Sequence, residues 1–243
     1  MSVRSVVQTL FHRLGWDVRR AADPNLEEAL LMRFLLVARP AAVFDVGANT
    51  GQYGLSLRKC GFTGRIVSFE AIPSVHARLS AVAARDRDWM VAPCCALGRA
   101  SGEAHINLAG NSVSSSLLAM DDAHLKAAPD SKYVGSETVR LERLDDIAGA
   151  LLPKDGRLLL KVDTQGYEEE VLAGADQVLK SVSAMQLELS VVPLYRGAPS
   201  FRRILELCEG LGFQLHGLIP GFCEEKTGRL LQMDGLFLRN GAP

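Results

Sequence analysis

The chemistry of this chain is concentrated where two apolar runs end in carboxylates. The first is Val43-Phe44-Asp45-Val46-Gly47-Ala48-Asn49-Thr50-Gly51-Gln52-Tyr53-Gly54, a strand pattern that runs through a turn into a helix pattern. Glycines at 47 and 51 let the backbone turn tightly and approach a ligand closely. The spacing is G-x-x-x-G-x-x-G, which differs from the G-x-G-x-x-G of a dinucleotide site. A pyrophosphate wants backbone N–H groups and no adjacent carboxylate, yet Asp45 stands just before this turn. That suits a ligand with a cationic end, and S-adenosylmethionine carries both a sulfonium and an ammonium. About twenty residues on, a second run ends in Phe69-Glu70, where an acid in a doubly wound fold accepts hydrogen bonds from the ribose hydroxyls. The structural alternatives are a turn-capping Asp45 and a solvated loop acid at Glu70.

The elements that must position these groups alternate along the chain. Strands are expected over Ala42–Val46, Arg65–Phe69, Trp89–Cys95, Leu158–Val162, Ala184–Leu189, Phe213–Ile219 and Leu236–Arg239. Helices are expected over Gln52–Cys60, Pro73–Ala84, Glu168–Leu179 and Ser200–Leu211. Near-continuous apolar strands separated by helices indicate a parallel sheet covered on both faces, hence a doubly wound α/β fold. The stretch Gly98–Asp146 breaks this rhythm and reads as an insertion over the carboxyl edge of the sheet, with Val139 and Leu141 on an edge strand. Upstream, Val3, Val6, Val7, Leu10, Phe11 and Leu14 recur at helical spacing, and Asp23-Pro24 marks the start of a second helix over Leu26–Ala38. The first of these packs on its own domain, joins a second subunit in a homodimer, or anchors at a membrane surface. The expected organisation is a helical extension over residues 1–40 and one domain over 41–243, with the insertion at about 98–146.

Composition narrows the partners. The 243 residues are 48% hydrophobic and 23% charged, enough for one full-sized core and unlike a disordered chain. Net charge is −1 from 27 basic and 28 acidic side chains, so no bulk field favours nucleic acid. Cys60, Cys94, Cys95, Cys208 and Cys223 form no CxxC pair and read as buried reduced thiols, which fits a cytoplasmic location. No apolar run is long enough to cross a membrane, and Gln8, His12 and Arg13 interrupt what would be a signal peptide.

The sequence resembles the FkbM-type S-adenosylmethionine-dependent methyltransferases from about Ala42 to Arg239. The pieces that carry this are Phe44–Tyr53, the Glu70 strand end, Ala96-Leu97-Gly98, Ser114-Ser115-Ser116-Leu117 and Leu144-Asp145-Asp146. Most specific is Leu160-Lys161-Val162-Asp163-Thr164-Gln165-Gly166-Tyr167-Glu168 with Val171–Ala175, followed by Glu188, Tyr195, Gly212-Phe213 and the Asp234–Phe237 segment. Many members have Glu where this chain has Gln165, which removes a charged ligand or base. The resemblance implies a Rossmann-like class I methyltransferase sheet of seven strands, the last antiparallel. It implies transfer to a hydroxyl of a sugar, natural product or cell-envelope precursor. It places Asp45, Gly47, Asn49, Gly51 and Tyr53 beside the methionine and ribose of the cofactor, and Glu70 on the ribose. The adenine falls near Ile72, Cys95 and Ala96, and Asp163 falls where cofactor and acceptor meet.

A methyl on sulfonium is already electrophilic, so the protein must align an acceptor and take its proton. Asp163 is the first candidate base, with His124 and Glu188 behind it. Orientation of the cofactor's amino group is the other role open to Asp163, and a surface position the other reading of His124. Asp163 and Glu188 end neighbouring strands and could together hold Mg²⁺. Two rival readings are a non-catalytic S-adenosylmethionine-binding subunit, which turnover excludes, and an NAD-type oxidoreductase, which calorimetry with NAD would reveal.

Overall fold

The structure is a computed structural model that describes residue 11, residues 27–153 and residues 157–241. Apart from Phe11, the expected helix over residues 3–14 lies outside the described residues, as does the Asp23-Pro24 helix start. In chain order the elements begin with α1 (Glu27–Ala38), β1 (Ala42–Val46), α2 (Gln52–Lys59), β2 (Arg65–Phe69), α3 (Pro73–Ala83) and β3 (Trp89–Val91). The insertion supplies β4 (Ala96–Leu97), β5 (Gly102–Ala109), α4 (Asp122–Ala127) and β6 (Tyr133–Glu142), followed by α5 (Leu144–Ala148). The chain then gives β7 (Leu158–Val162), α6 (Glu168–Ala173), β8 (Val182–Ser190), α7 (Phe201–Gly210), β9 (Phe213–Pro220) and β10 (Gln232–Arg239).

Seven strands form one sheet in the order β3-β2-β1-β7-β8-β10-β9. The pairings β3-β2, β2-β1, β1-β7 and β7-β8 are parallel, and β10 runs antiparallel between β8 and β9. This is the doubly wound class I methyltransferase sheet, with the last strand reversed. Every residue of β1 and β7 is buried, which explains why their sequences are nearly continuous apolar runs. Successive residues face opposite layers: Val43 and Leu159 pack with Leu57, Ile66 and Leu79, whereas Phe44 and Leu160 pack with Phe69, Leu187 and Phe213. The strand order reverses between β1 and β7, so their carboxyl ends frame the crevice where doubly wound folds bind ligands.

Three sequence expectations need correction. The strand expected over Trp89–Cys95 stops at Val91, because Pro93 has no N–H to continue the ladder, and Ala96–Leu97 pairs in a second sheet instead. That sheet has the order β4-β6-β5, so Val139 and Leu141 lie on its central strand and not at an edge. The helix expected over Glu168–Leu179 ends at Ala173. Gly174 meets the insertion there so closely that a Cβ would lie 2.0 Å from the Gly98 carbonyl oxygen. A separate turn over Val178–Ser181 follows, with the Gln177 and Val178 amides donating to Asp145 Oδ1 at 2.9 Å. Of the cysteines, Cys95 and Cys208 are buried, whereas Cys223 is exposed. Among the described residues no helix is long and apolar enough to cross a membrane.

Candidate active site

The turn after β1 is pressed against the turn after β7. Gly47 has φ +75°, and a Cβ on it would fall 1.8 Å from the Asp163 carbonyl oxygen, so no other residue fits. The Gly47 and Ala48 amides donate to the Phe69 carbonyl at 3.1 and 3.0 Å, and the Asp163 amide donates to the Val46 carbonyl at 3.1 Å. These bonds bring the ends of β1, β2 and β7 to one point. There the Glu70 carboxylate accepts from the Asn49 amide and the Ile72 amide, each at 2.9 Å. Burial raises the Glu70 pKa, and the Ile72 and Asn49 amides oppose the rise by binding the charged form.

A cleft opens from this point over the insertion sheet. Gly47, Asn49, Glu70, Ile72, Cys95, Ala96 and Asp163 all line it, together with Gln165, Tyr167 and the loop residues Ser112, Val113 and Ser116. Seven sequence-predicted residues are therefore gathered at one cavity. Its walls combine the Glu70 and Asp163 carboxylates with the apolar side chains of Ile72, Ala96, Leu97 and Ile106.

Asp45, Gly51 and Tyr53 do not line this cleft. Gly51 faces the Trp89 ring and Leu79. Asp45 is fully buried; its Oδ1 lies 3.3 Å from Lys161 Nζ without an aligned hydrogen bond, and its Oδ2 accepts from Ser68 Oγ at 3.3 Å. Burial raises its pKa while the Lys161 ammonium pulls it back. Lys161 Nζ also sits 3.3 Å from Asp163 Oδ2, 3.5 Å from the Gly47 carbonyl and 5.3 Å over the Tyr53 ring. Burial favours its neutral form, but Asp163, Asp45 and Asp234 together push its pKa above the usual lysine range. Lys161 was missed as a functional residue; the signal was a single lysine inside the buried run Leu158–Val162. Tyr53 donates to Gln186 Oε1 at 2.8 Å, and Gln186 Nε2 donates to Asp234 at 3.0 Å; Tyr53 lines an adjoining cavity that shares Gly47, Asn49 and Asp163 with the cleft.

Beyond Asp163, Gln165 organises the acidic end. Its φ is +56°, a left-handed conformation costly for a glutamine, so the surroundings must hold it there. Its Nε2 donates to Asp163 Oδ1 at 2.8 Å and to both Glu188 oxygens at 2.9 Å, while its Oε1 accepts from Tyr195 Oη at 2.6 Å. Burial, then the nearby Asp163 charge, raise Glu188 well above the usual carboxylate range. The two carboxylates do converge, yet an amide N–H donor stands between them, and a cation there would face that donor. Among the described residues no group of three or more His, Cys, Asp or Glu is arranged to hold a metal. The donor set therefore does not fit Mg²⁺. His124 is buried at 3% exposure, so the surface reading fails; α4, capped by Asp121, turns it inward against the Tyr195 and Phe222 rings. His124 and Glu188 line a neighbouring cavity that shares Gln165 and Val113 with the cleft.

The Methyltransferase FkbM domain model matches residues 45–215. The chain belongs to the FkbM methyltransferase family. It is an S-adenosylmethionine-dependent methyltransferase. No curated protein sequence matches it. Among solved structures it is similar to the O-methyltransferase TomG of Streptomyces achromogenes, involved in tomaymycin synthesis and solved in complex with S-adenosylmethionine. Their identity is 14%, the match covers 98% of this chain and 89% of that one, and the TM-score is 0.51. It is also similar to a Klebsiella pneumoniae protein described as an O-methyltransferase, at 11% identity, covering 99% of this chain and 91% of that one, with a TM-score of 0.51. At such identities these two likenesses establish the fold alone.

Proposed function

We propose that this methyltransferase acts on a hydroxyl oxygen of a sugar, natural-product or cell-envelope precursor, a small molecule or glycan. The observation that carries the reading is the set of groups gathered at the site: the amide-anchored Glu70 and Asp163 line one cleft, and Gln165 joins Asp163 to Glu188 on the adjoining cavity. Glu70 binds the ribose hydroxyls, Ile72, Cys95 and Ala96 flank the adenine, and Gly47 and Asn49 line the ribose and methionine portion. The fit rests on a crevice with the Glu70 and Asp163 carboxylates on its walls, which suits a cationic donor. In this reading residues 41–243 form the methyltransferase domain, with residues 98–146 inserted and residues 1–40 as a helical extension.

When bound, S-adenosylmethionine supplies a methyl group on sulfonium, an electrophile that needs no further activation. The chain aligns the acceptor oxygen with that methyl, a contribution of roughly 7–11 kcal/mol. It also takes the hydroxyl proton, worth roughly 10²–10⁴ in rate. Asp163, whose Oδ2 lies 3.3 Å from Lys161 Nζ, orients the donor within the cleft. Glu188, half-buried and more basic than an ordinary glutamate, receives the proton on the acceptor side. Gln165 spaces the two carboxylates, and Tyr195 fixes which way its amide points.

The direct test incubates the protein with labelled S-adenosylmethionine and panels of glycans and natural products, reading which product gains a methyl mass. A product labelled on nitrogen or carbon would refute hydroxyl specificity. Asp163→Asn should bind S-adenosylhomocysteine and turn over slowly; normal turnover would remove Asp163 from the site.

A further inference from the structure

We infer that Glu168 is a positioning residue: by gripping the turn at residues 163–166, its carboxylate fixes the Gln165 amide that joins Asp163 to Glu188. This rests on the function proposed above for the part those two carboxylates play in methyl transfer. Glu168 opens α6 beside Glu169 and Glu170, yet the three side chains differ in direction. Glu169 and Glu170 pair with the exposed Arg203 and Arg99, whereas Glu168 is 3% exposed. A carboxylate so buried is costly unless donors meet it. Its Oε1 accepts from the Thr164 amide at 2.9 Å, the Thr164 hydroxyl at 3.2 Å and the Gly166 amide at 3.1 Å. Burial pushes its pKa up to about 7, and its own amide and those of Thr164 and Gly166 oppose the rise by binding the charged form.

The two anchored amides flank Gln165. Gln165 has φ +56° and Gly166 φ +97°, two successive residues in the left-handed region, which a glutamine leaves unless its neighbours are held. The outer side of the turn is closed by Ser116 Oγ, which donates to the Gln165 carbonyl at 2.8 Å, and by Ala198, whose Cβ lies 2.9 Å from where a Cβ on Gly166 would fall. The inner side is held by Glu168. Relaxing Gln165 to negative φ would swing its Nε2 away from Asp163 Oδ1 and Glu188, now 2.8 and 2.9 Å distant, and leave the two carboxylates without their shared donor. Glu168 itself lines neither the cofactor cleft nor the cavity that Glu188 lines, so its influence passes through Gln165.

The test follows ligand-free ¹⁵N-labelled protein by amide hydrogen exchange and by the side-chain resonance of Gln165, assigned through its loss in Gln165→Met. In wild type the Thr164 and Gly166 amides should exchange slowly, although neither lies in a helix or strand. Glu168→Leu removes the acceptor, so exchange at both should quicken roughly tenfold or more, and the Gln165 side-chain resonance should move towards that of a free glutamine. Glu168→Gln keeps an oxygen in the same place and should restore most of both signals. Phe44 and Leu160, in the central strands, should keep their wild-type rates throughout. On the acceptor found in the panel above, kcat should fall roughly tenfold in Glu168→Leu and recover in Glu168→Gln. Fast exchange at Thr164 and Gly166 in wild type overturns the inference, and it decides even where Glu168→Leu does not fold. So does an unmoved Gln165 resonance or an unchanged kcat in Glu168→Leu, or a Glu168→Gln protein no better than Glu168→Leu. Equal loss of protection at Phe44 and Leu160 overturns it too, because a merely structural role spreads across the sheet. Failure of the wild type to bind S-adenosylhomocysteine by calorimetry would instead overturn the functional reading and leave the exchange result standing.

Discussion

Replacing Lys161 by methionine tests the most consequential departure of this site from its sequence reading. The ammonium lies 3.3 Å from carboxylate oxygens of both Asp45 and Asp163, and Asp45 has no exposed surface. At an effective dielectric of about 20, each such contact represents on the order of 5 kcal/mol of direct attraction, and desolvation of the buried charges offsets much of it. What remains is visible when one partner is lost. An uncompensated Asp45 in a sealed strand should cost about 3–5 kcal/mol. For a chain of this size that lowers the unfolding midpoint by roughly 6–20 °C. The sign with pH follows from the proton balance. Without Lys161, Asp45 takes up a proton in the folded state at a pH where the unfolded chain stays ionised, so the deficit shrinks as pH falls towards the ordinary aspartate range. Thermal unfolding followed by circular dichroism at neutral and mildly acidic pH reads both effects. Adding Asp45→Asn should recover much of the loss, because it removes the orphaned charge. A Lys161→Met protein as stable as wild type, or one not helped by Asp45→Asn, would refute the ion-pair account and return Asp45 to the cofactor.

Four further outcomes follow from the same geometry. Glu70→Gln should weaken S-adenosylhomocysteine binding by roughly tenfold to a hundredfold by calorimetry, since charge-assisted bonds to the ribose are weakened; an unchanged affinity removes Glu70 from the ribose. In wild type the rate should rise with pH through a value above the usual glutamate range as Glu188 loses its proton; Glu188→Gln should abolish that limb and slow turnover by roughly 10²–10⁴. Asp234 is pushed up to about 6 by burial and then by Asp163, against 3.8 for an unperturbed aspartate, so the folded state keeps a proton that the unfolded chain releases. Relative to Asp234→Asn, wild type should therefore lose stability, on the order of 2 kcal/mol, as pH rises from about 4 to about 6; a gain would contradict the assignment. Methyl transfer should be unaffected by EDTA, because the Gln165 amide stands between the two carboxylates; loss of activity restored by Mg²⁺ would reverse that conclusion.

Much of the fold could be read before the structure. The strands expected at Ala42–Val46, Arg65–Phe69 and Leu158–Val162 have the observed limits, because a strand buried on both faces reads as a nearly continuous apolar run. The errors fell where a contact outside the segment decides. Ala96 and Leu97 leave the main sheet for Leu141 and Glu142, and α6 stops where Gly174 meets Gly98. At the site, Gly47, Asn49, Glu70, Ile72, Cys95, Ala96 and Asp163 were legible because they sit at strand ends and turns, whose place in a doubly wound sheet follows from element order.

Side-chain partners were not legible, because pairing across a sheet depends on register between distant segments. Asp45 stands directly opposite Lys161 on adjacent parallel strands, and that register converts a presumed ligand contact into an internal ion pair. The same holds for His124. Nothing in Asp122–Ala127 distinguishes an inward from an outward ring; only packing on Tyr195 and Phe222, from the far end of the chain, does so. By itself the sequence determined the sheet, the glycine turn and the acids at the strand ends, since periodicity and backbone geometry are local. The tertiary structure alone decided which acid is sealed and which pair of carboxylates shares an amide, since burial and charge pairing belong to the assembled whole.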